Sequence, residues 1–265
     1  MKRIILLFMF LSVSVQARHI RIITPYYGSI SNRLTIQNMS DLKDTAPMCG
    51  IYFQWVNTER YQWNAFLYQV RDINQSRIFG SHFIFDYYTA GSETQKFVIG
   101  SGLDFIGIKT DGDVSPALTD FEMTNHITAL YARVGWQCVL GQPLNRLDLM
   151  PWNGYEHELV RGDIAFNILP AFPGMPSVSV NDPIEDDYHY YLLGMNVRWH
   201  LYHFLEITGK YARKFSLDDR KDLNTVSAMA NIFFSRHLGV SYRFKYMEVS
   251  ICDNTYHMAG IAVIF

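Results

Sequence analysis

From residue 48 onward, apolar and polar residues alternate with a period of two, the spacing that sends successive side chains to opposite faces of a β-strand. The clearest run is 238–249, where Leu238, Val240, Tyr242, Phe244 and Tyr246 share one face and Gly239, Ser241, Arg243, Lys245 and Met247 the other. Residues 188–201 repeat it, with Tyr191, Leu193, Met195, Val197 and Trp199 against Tyr190, Leu192, Asn196, Arg198 and His200. In 205–211 Leu205, Ile207 and Tyr211 oppose Glu206, Thr208 and Lys210, and in 127–140 Leu130, Ala132, Val134 and Trp136 oppose Tyr131, Arg133, Gly135 and Gln137. In 160–168 the same reading puts Val160, Ile164, Phe166 and Ile168 on the apolar face and Arg161, Asp163, Ala165 and Asn167 on the polar one.

The pattern predicts about twelve strands: one from roughly 19 to 38, broken by Pro25, Gly28 and Asn32, then 48–57, 61–71, 78–88, 95–108, 126–140, 157–169, 188–200, 203–213, 225–234, 238–249 and 255–265. Most are about 10 to 13 residues long. That exceeds the usual soluble strand of about five or six and suits a tilted strand crossing a bilayer, which needs about 9 to 11. The connections alternate as well. Tight turns fall at 58–60, 201–203 and 235–237, and longer loops at 109–125, 170–187 and 214–224, as expected of a membrane barrel with short turns at one end. Two stretches depart from this: the short loop at 72–77, and 141–156, whose Pro143, Pro151, Trp152 and Gly154 predict a plug edge or short helix on the short-turn side.

Composition narrows the setting. Charged residues are 18% of the 265, below the roughly one quarter of a soluble domain, while aromatics reach 15%. There is ample apolar surface to exclude disorder, and after the first 15 residues no run is long enough for a spanning helix. Lys2 and Arg3, the apolar run Ile4 to Leu11, and Val15-Gln16-Ala17 read as a signal peptide over 1–17, leaving 18–265 as one barrel domain. Losing Lys2 and Arg3 from 23 basic residues against 25 acidic ones makes the exported chain mildly acidic. Nucleic acid is therefore not an expected partner. Three widely spaced cysteines form neither a disulfide scaffold nor a zinc motif, and Cys49 with Cys252 is the one pairing worth considering.

The signal peptide, the alternating strands and the last segment, His257 to Phe265 with Ile261 and Val263 spaced before a terminal Phe, together resemble the bacterial outer-membrane β-barrel class. The resemblance implies an all-β, transmembrane, antiparallel up-and-down barrel of about twelve strands, with ten or eight as alternatives. It also implies assembly by the barrel-insertion machinery through the strand ending at Phe265, and contact with outer-membrane lipids and a lipopolysaccharide-type glycolipid. An Arg or Lys on the lipid face near the midplane costs about 2 to 4 kcal/mol. Arg133, Arg161, Arg198, Lys210, Arg243 and Lys245 are thus expected to line the lumen, with Asp86, Asp104, Asp163 and Glu206 as counter-charges. The bulky Phe66, Tyr131, Tyr190 and Met229 on the same face predict partial occlusion. A secreted soluble β-sandwich or barrel, with its charged faces turned to water, is the competing architecture.

Catalytic motifs are sparse. The His-x-Ser pattern of outer-membrane phospholipases and lipid A deacylases does not occur, and Ser235 and His237 stand in reversed order in a predicted turn. Asp111-Gly112-Asp113 and Asp187-Tyr188-His189 resemble the Asp-x-Asp and Asp-x-His pairs of omptin-type proteases, although both also read as solvated loop sequence. Asp111, Asp113, Asp120 and Glu122 share one outer loop and would offer oxygens to a divalent cation, without the EF-hand spacing. No cofactor and no resident metal are expected. Three functions stay open: a narrow pore for small solutes, a structural or adhesive barrel working through its outer loops, and a surface hydrolase.

Overall fold

The computed structural model describes residues 20–34, 42–57, 60–73, 75–89, 91–92, 94–112, 118–142, 144–168, 178–202, 204–218, 220–248 and 252–265. The proposed signal peptide lies outside these. Twelve strands run in chain order: β1 (Ile20–Leu34), β2 (Leu42–Asn57), β3 (Tyr61–Ile73), β4 (Ser76–Tyr88), β5 (Gln95–Gly112), β6 (Leu118–Gln142), β7 (Asn145–Ile168), β8 (Val178–Leu201), β9 (Leu205–Ser216), β10 (Leu223–Phe233), β11 (Leu238–Glu248) and β12 (Cys252–Ile264). Each pairs antiparallel with its chain neighbours, and β1 pairs with β12 to close the ring. The Phe265 amide also donates to the Arg21 carbonyl at 3.0 Å, which places the C-terminus beside the start of β1, at the end that carries the tight turns.

The alternation read from the sequence becomes inside and outside. On β3 the even positions Gln62, Asn64, Phe66, Tyr68 and Val70 are buried in the barrel, and Trp63 points out. On β6 the outward set is Leu130, Ala132, Val134, Trp136 and Cys138, opposite inward Ala129, Tyr131 and Arg133. Exposed aromatics gather towards both rims: Trp63, Tyr87, Phe97, Trp136, Trp199, Phe204 and Phe234 near the short turns, and Tyr27, Phe79, Tyr155, Tyr191 and Tyr242 towards the other end. Such aromatic girdles flank the apolar band of a barrel in lipid.

Three features differ from the sequence reading. In the stretch 141–156, Gly141 and Gln142 end β6 and 145–156 are the first half of β7, so its described residues form neither plug nor helix. Pro151 is accommodated because the β6–β7 ladder, after Gly135 opposite Trp152, resumes at Cys138 opposite Leu149 and asks no hydrogen bond of the missing N–H. Second, much of the expected long loops at 109–125 and 170–187 is strand. β6, β7 and β8 have 25, 24 and 24 residues against 11 to 18 in the others, so their far ends form a wall beyond the rim. Third, Cys49 is an exposed free thiol opposite Tyr27, while Cys252 is opposite Leu34 on the same strand. Seven residues along a strand is roughly 23 Å, far beyond disulfide reach.

Val134 sits in the middle of the outward apolar run of β6. Val134→Arg is expected to cost about 2 to 4 kcal/mol in unfolding from lipid vesicles, whereas Glu185→Arg on the projecting wall should cost at most about 1 kcal/mol. Equal costs at the two positions would contradict this membrane placement.

Candidate functional site

The interior of the barrel is the site. Its walls carry two apolar clusters. One joins Tyr26, Tyr52, Phe66, Tyr68, Met229 and Tyr256, and the other Trp152, Val160, Tyr188, Tyr190 and Leu192. Twelve strands enclose more than the eight that side chains alone can fill, and less than the sixteen of an open aqueous channel. Here aromatic rings take up much of the difference. Gly194 is what admits Trp152: a Cβ at residue 194 would lie 2.2 Å from the indole ring. The indole N–H then donates to Asn196 Oδ1 at 3.2 Å.

Between the apolar walls runs a set of paired charges. Arg133 grips Asp86 through Nη2 at 2.7 Å to both carboxylate oxygens and through Nε at 3.1 Å, with each side chain only 4% exposed. Gly100 leaves the space for this fork, since a Cβ there would lie 2.4 Å from Asp86 Oδ1. The Arg133 guanidinium also lies over the Trp152 ring at 5.2 Å. Lys214 bonds Glu156, and His82 bonds Asp104. At the short-turn end Arg146 holds Asp148 at 2.6 Å, and His200 faces Glu206 at 3.4 Å.

Lys210, Arg198 and Arg243 are different. Among the described residues none has a carboxylate within ion-pair distance, and Arg243 instead rests its guanidinium over Phe66 at 4.5 Å and Tyr52 at 5.1 Å. Lys245 lies over the Tyr256 ring at 5.8 Å. Cavities lie along the lumen, neighbouring ones sharing wall residues. The one nearest the long loops, about 120 Å³, is walled by Asp104, Arg133, Lys210, Arg243 and Lys245. Two central ones of about 40 and 20 Å³ share Arg198 and Lys210. Another, about 110 Å³ at the short-turn end, is walled by Arg146, Asp148, Arg198, His200 and Glu206. The outer cavity shares Asn196 and Lys210 with its neighbour, which in turn shares Gln62, Tyr88 and Arg198 with the last. A water needs about 10 to 15 Å³ on this scale, so the narrow middle holds one to a few small occupants.

Of the ten charged residues predicted for the lumen, the structure brings eight to the interior: Asp86, Asp104, Arg133, Arg198, Glu206, Lys210, Arg243 and Lys245. Arg161 and Asp163 are corrections. On β7 the even residues Asp148, Met150, Trp152, Glu156 and Val160 are the buried ones, so the odd ones face out. Arg161 pairs with Glu185 at 3.1 Å and Asp187 at 3.5 Å on the projecting wall, and Asp163 is exposed. The penalty that drives charge inward applies only at membrane depth, and this part of β7 lies beyond it. Four interior residues went unread in the sequence. Asp148 and Glu156 fall in the stretch taken for a plug, Lys214 in a predicted loop, and His82 shares the parity of Asp86, which was the available signal.

The protease-like motifs do not assemble. Asp187 and His189 lie on the outward face of β8: the His189 ring stacks on His157 at 4.7 Å between centroids, its Nδ1 bonds the Tyr155 hydroxyl at 2.5 Å, and its backbone N–H donates to Asp218 at 2.6 Å. Asp111 is on β5, separated from β8 by β6 and β7, and stands opposite Glu122. Asp113 lies outside the described residues. Lys109 sits between Asp111 at 3.4 Å and Glu122 at 2.9 Å, where a cation would be wanted, and its ammonium is held above the usual lysine range chiefly by the hydrogen bond to Glu122. Asp120 accepts from Asn167 at 3.0 Å. The Ser235 hydroxyl caps its own turn, accepting from the backbone N–H groups of His237 and Leu238.

Among solved structures the chain is similar to the translocator domain of the autotransporter NalP from Neisseria meningitidis. The TM-score is 0.54 at 14% identity, covering 100% of this chain and 94% of that one. The fold is that of the bacterial outer-membrane β-barrels. Weaker likenesses are to the Pseudomonas putida toluene transporter TodX, with a TM-score of 0.45 at 8% identity over 94% of this chain and 90% of that one, and to the outer-membrane protease OmpT of Escherichia coli, with 0.45 at 9% over 96% and 99%. No protein-family model matches the sequence. No curated protein matches it either. The outer-membrane barrel fold therefore rests on architecture, and the role must be argued from the lumen.

Asp86→Ala should destabilise this barrel by about 3 to 5 kcal/mol in detergent unfolding, because Arg133 is left charged, buried and unpaired. Replacing both, Asp86→Leu with Arg133→Met, should recover most of that loss. A single variant as stable as the parent would contradict the buried fork.

Proposed function

We propose that this chain is an integral outer-membrane protein whose lumen is a narrow pore preferring small anions. The observation that carries it is the succession of cavities inside the barrel whose neighbours share wall residues, with Arg198, Lys210 and Arg243 around the narrow middle and Asp86, Asp104 and Asp148 already tied to Arg133, His82 and Arg146. A solute crossing that middle leaves bulk water for a setting of low dielectric, where an uncompensated cation beside the path favours anions and repels cations. The size of the neck limits passage to ions and very small solutes.

In this reading the chain is exported by residues 1–17. Its termini and tight turns face the periplasm, its lipid contacts include a lipopolysaccharide-type glycolipid at the opposite rim, and Phe265 ends the strand recognised by the insertion machinery. A second reading draws support from the β6–β8 wall, where Arg161 with Glu185 and Asp187 give a charged surface for adhesion outside the membrane.

Refolded protein in planar bilayers decides between them. The pore reading expects small single-channel steps with an anion-selective reversal potential, and Lys210→Glu should move that potential towards cations. Absence of conductance across the whole voltage range would leave the wall as the working part.

A further inference from the structure

We infer that the middle of the lumen holds a resident monatomic anion, a halide, in the small cavity between Arg198, Lys210 and Arg243. The inference rests on the pore reading's account of the lumen as anion-preferring, and goes beyond it by assigning a bound ion at a defined place.

The cavity has about 20 Å³ of open volume, and Tyr52, Asn64, Thr208 and Ser227 join the three cations in its wall. No carboxylate is among the residues that line it. Two of its polar groups are buried with no partner inside the protein: the Thr208 hydroxyl, on a residue only 6% exposed, and the Arg243 Nη1. A buried donor left unbonded costs about 1 to 3 kcal/mol, and more when it is charged. Thr208 and Arg243 both line this cavity, so one occupant within it can accept from both. Water would satisfy the hydroxyl but leave three like charges facing one another. An anion accepts from the hydroxyl and guanidinium and offsets the repulsion between Lys210, Arg198 and Arg243.

Of the carboxylates nearby, Asp86 is held bidentately by Arg133, and Glu206, which lines the cavity at the short-turn end and not this one, turns one oxygen to His200 at 3.4 Å while its Oε1 has no partner among the described residues. The volume exceeds the roughly 10 to 15 Å³ that admits one water and leaves no room for a tetrahedral oxyanion. That restricts the occupant to chloride, bromide or an ion of similar size.

The test is thermal unfolding of the detergent-folded full chain at constant ionic strength, replacing sodium gluconate by sodium bromide or chloride. The site predicts a midpoint that rises with halide and saturates. Lys210→Met and Thr208→Val, each folded as judged by its migration difference between boiled and unboiled samples, should need about tenfold more halide for the same rise, as fits the loss of a charge or a charge-assisted hydrogen bond. Arg243→Met should do the same where it folds. Equal midpoints in gluconate and bromide would overturn the inference, as would a halide response unchanged in both Lys210→Met and Thr208→Val. Conductance separates the two proposals: a saturable halide response without channel activity sinks the pore and keeps the site, and channel activity without the response does the reverse.

Discussion

A strand in hydrocarbon has no water to satisfy its backbone, and each orphaned N–H or C=O there costs several kcal/mol. An open sheet would expose two such edges, so β1 must find β12, and it does so over eleven residue pairs from Ile22 opposite Ile264 to Leu34 opposite Cys252. Once the ring is closed, every strand has an inside and an outside, and the period-two pattern stops being a local propensity and becomes a division of solvents. Outward side chains meet lipid and inward ones meet each other. The pairing of Arg133 with Asp86, the aromatic girdles and the cationic middle all follow from that division.

The lumen is not simply the polar half of the pattern. Phe66, Tyr68, Tyr190 and Trp152 share it with the charges. A ring of twelve strands is wide enough to need filling, and large rings fill it while their polar tips and faces remain useful to the cations beside them. Arg133 over Trp152, Arg243 over Phe66 and Lys214 over Tyr190 at 5.5 Å are the contacts through which the two kinds of wall meet. These contacts hold the cations at the cavity walls and out of its centre.

Strand number, antiparallel order and the facing of β6, β8, β9 and β11 were legible in the sequence because lipid enforces the alternation over a full membrane thickness. Where lipid is absent, the rule lapses. Val160 was read as outward because it is apolar and Arg161 as inward because it is charged, yet beyond the rim an outward Arg161 is solvated and an inward Val160 packs with Tyr188 and Tyr190. Pro151 and Gly154 misled for a different reason. They break strands in soluble sheets, but here the ladder skips the proline and the glycine answers a close approach, its absent Cβ falling 2.3 Å from the Ala132 carbonyl oxygen. Which charges pair, and which cations (Arg198, Lys210, Arg243 and Lys245) remain over, was not legible. It depends on the register between strands far apart in sequence, such as Asp86 on β4 and Arg133 on β6.

The central claim is that the alternation divides lipid from lumen, and nitroxide labels moved one residue at a time along β6 from 129 to 137 in lipid vesicles test it most directly. Collision with oxygen, which concentrates in the bilayer, should be high at 130, 132, 134 and 136 and low at 129, 131, 133 and 135. A flat profile, or maxima at the odd positions, would contradict the account.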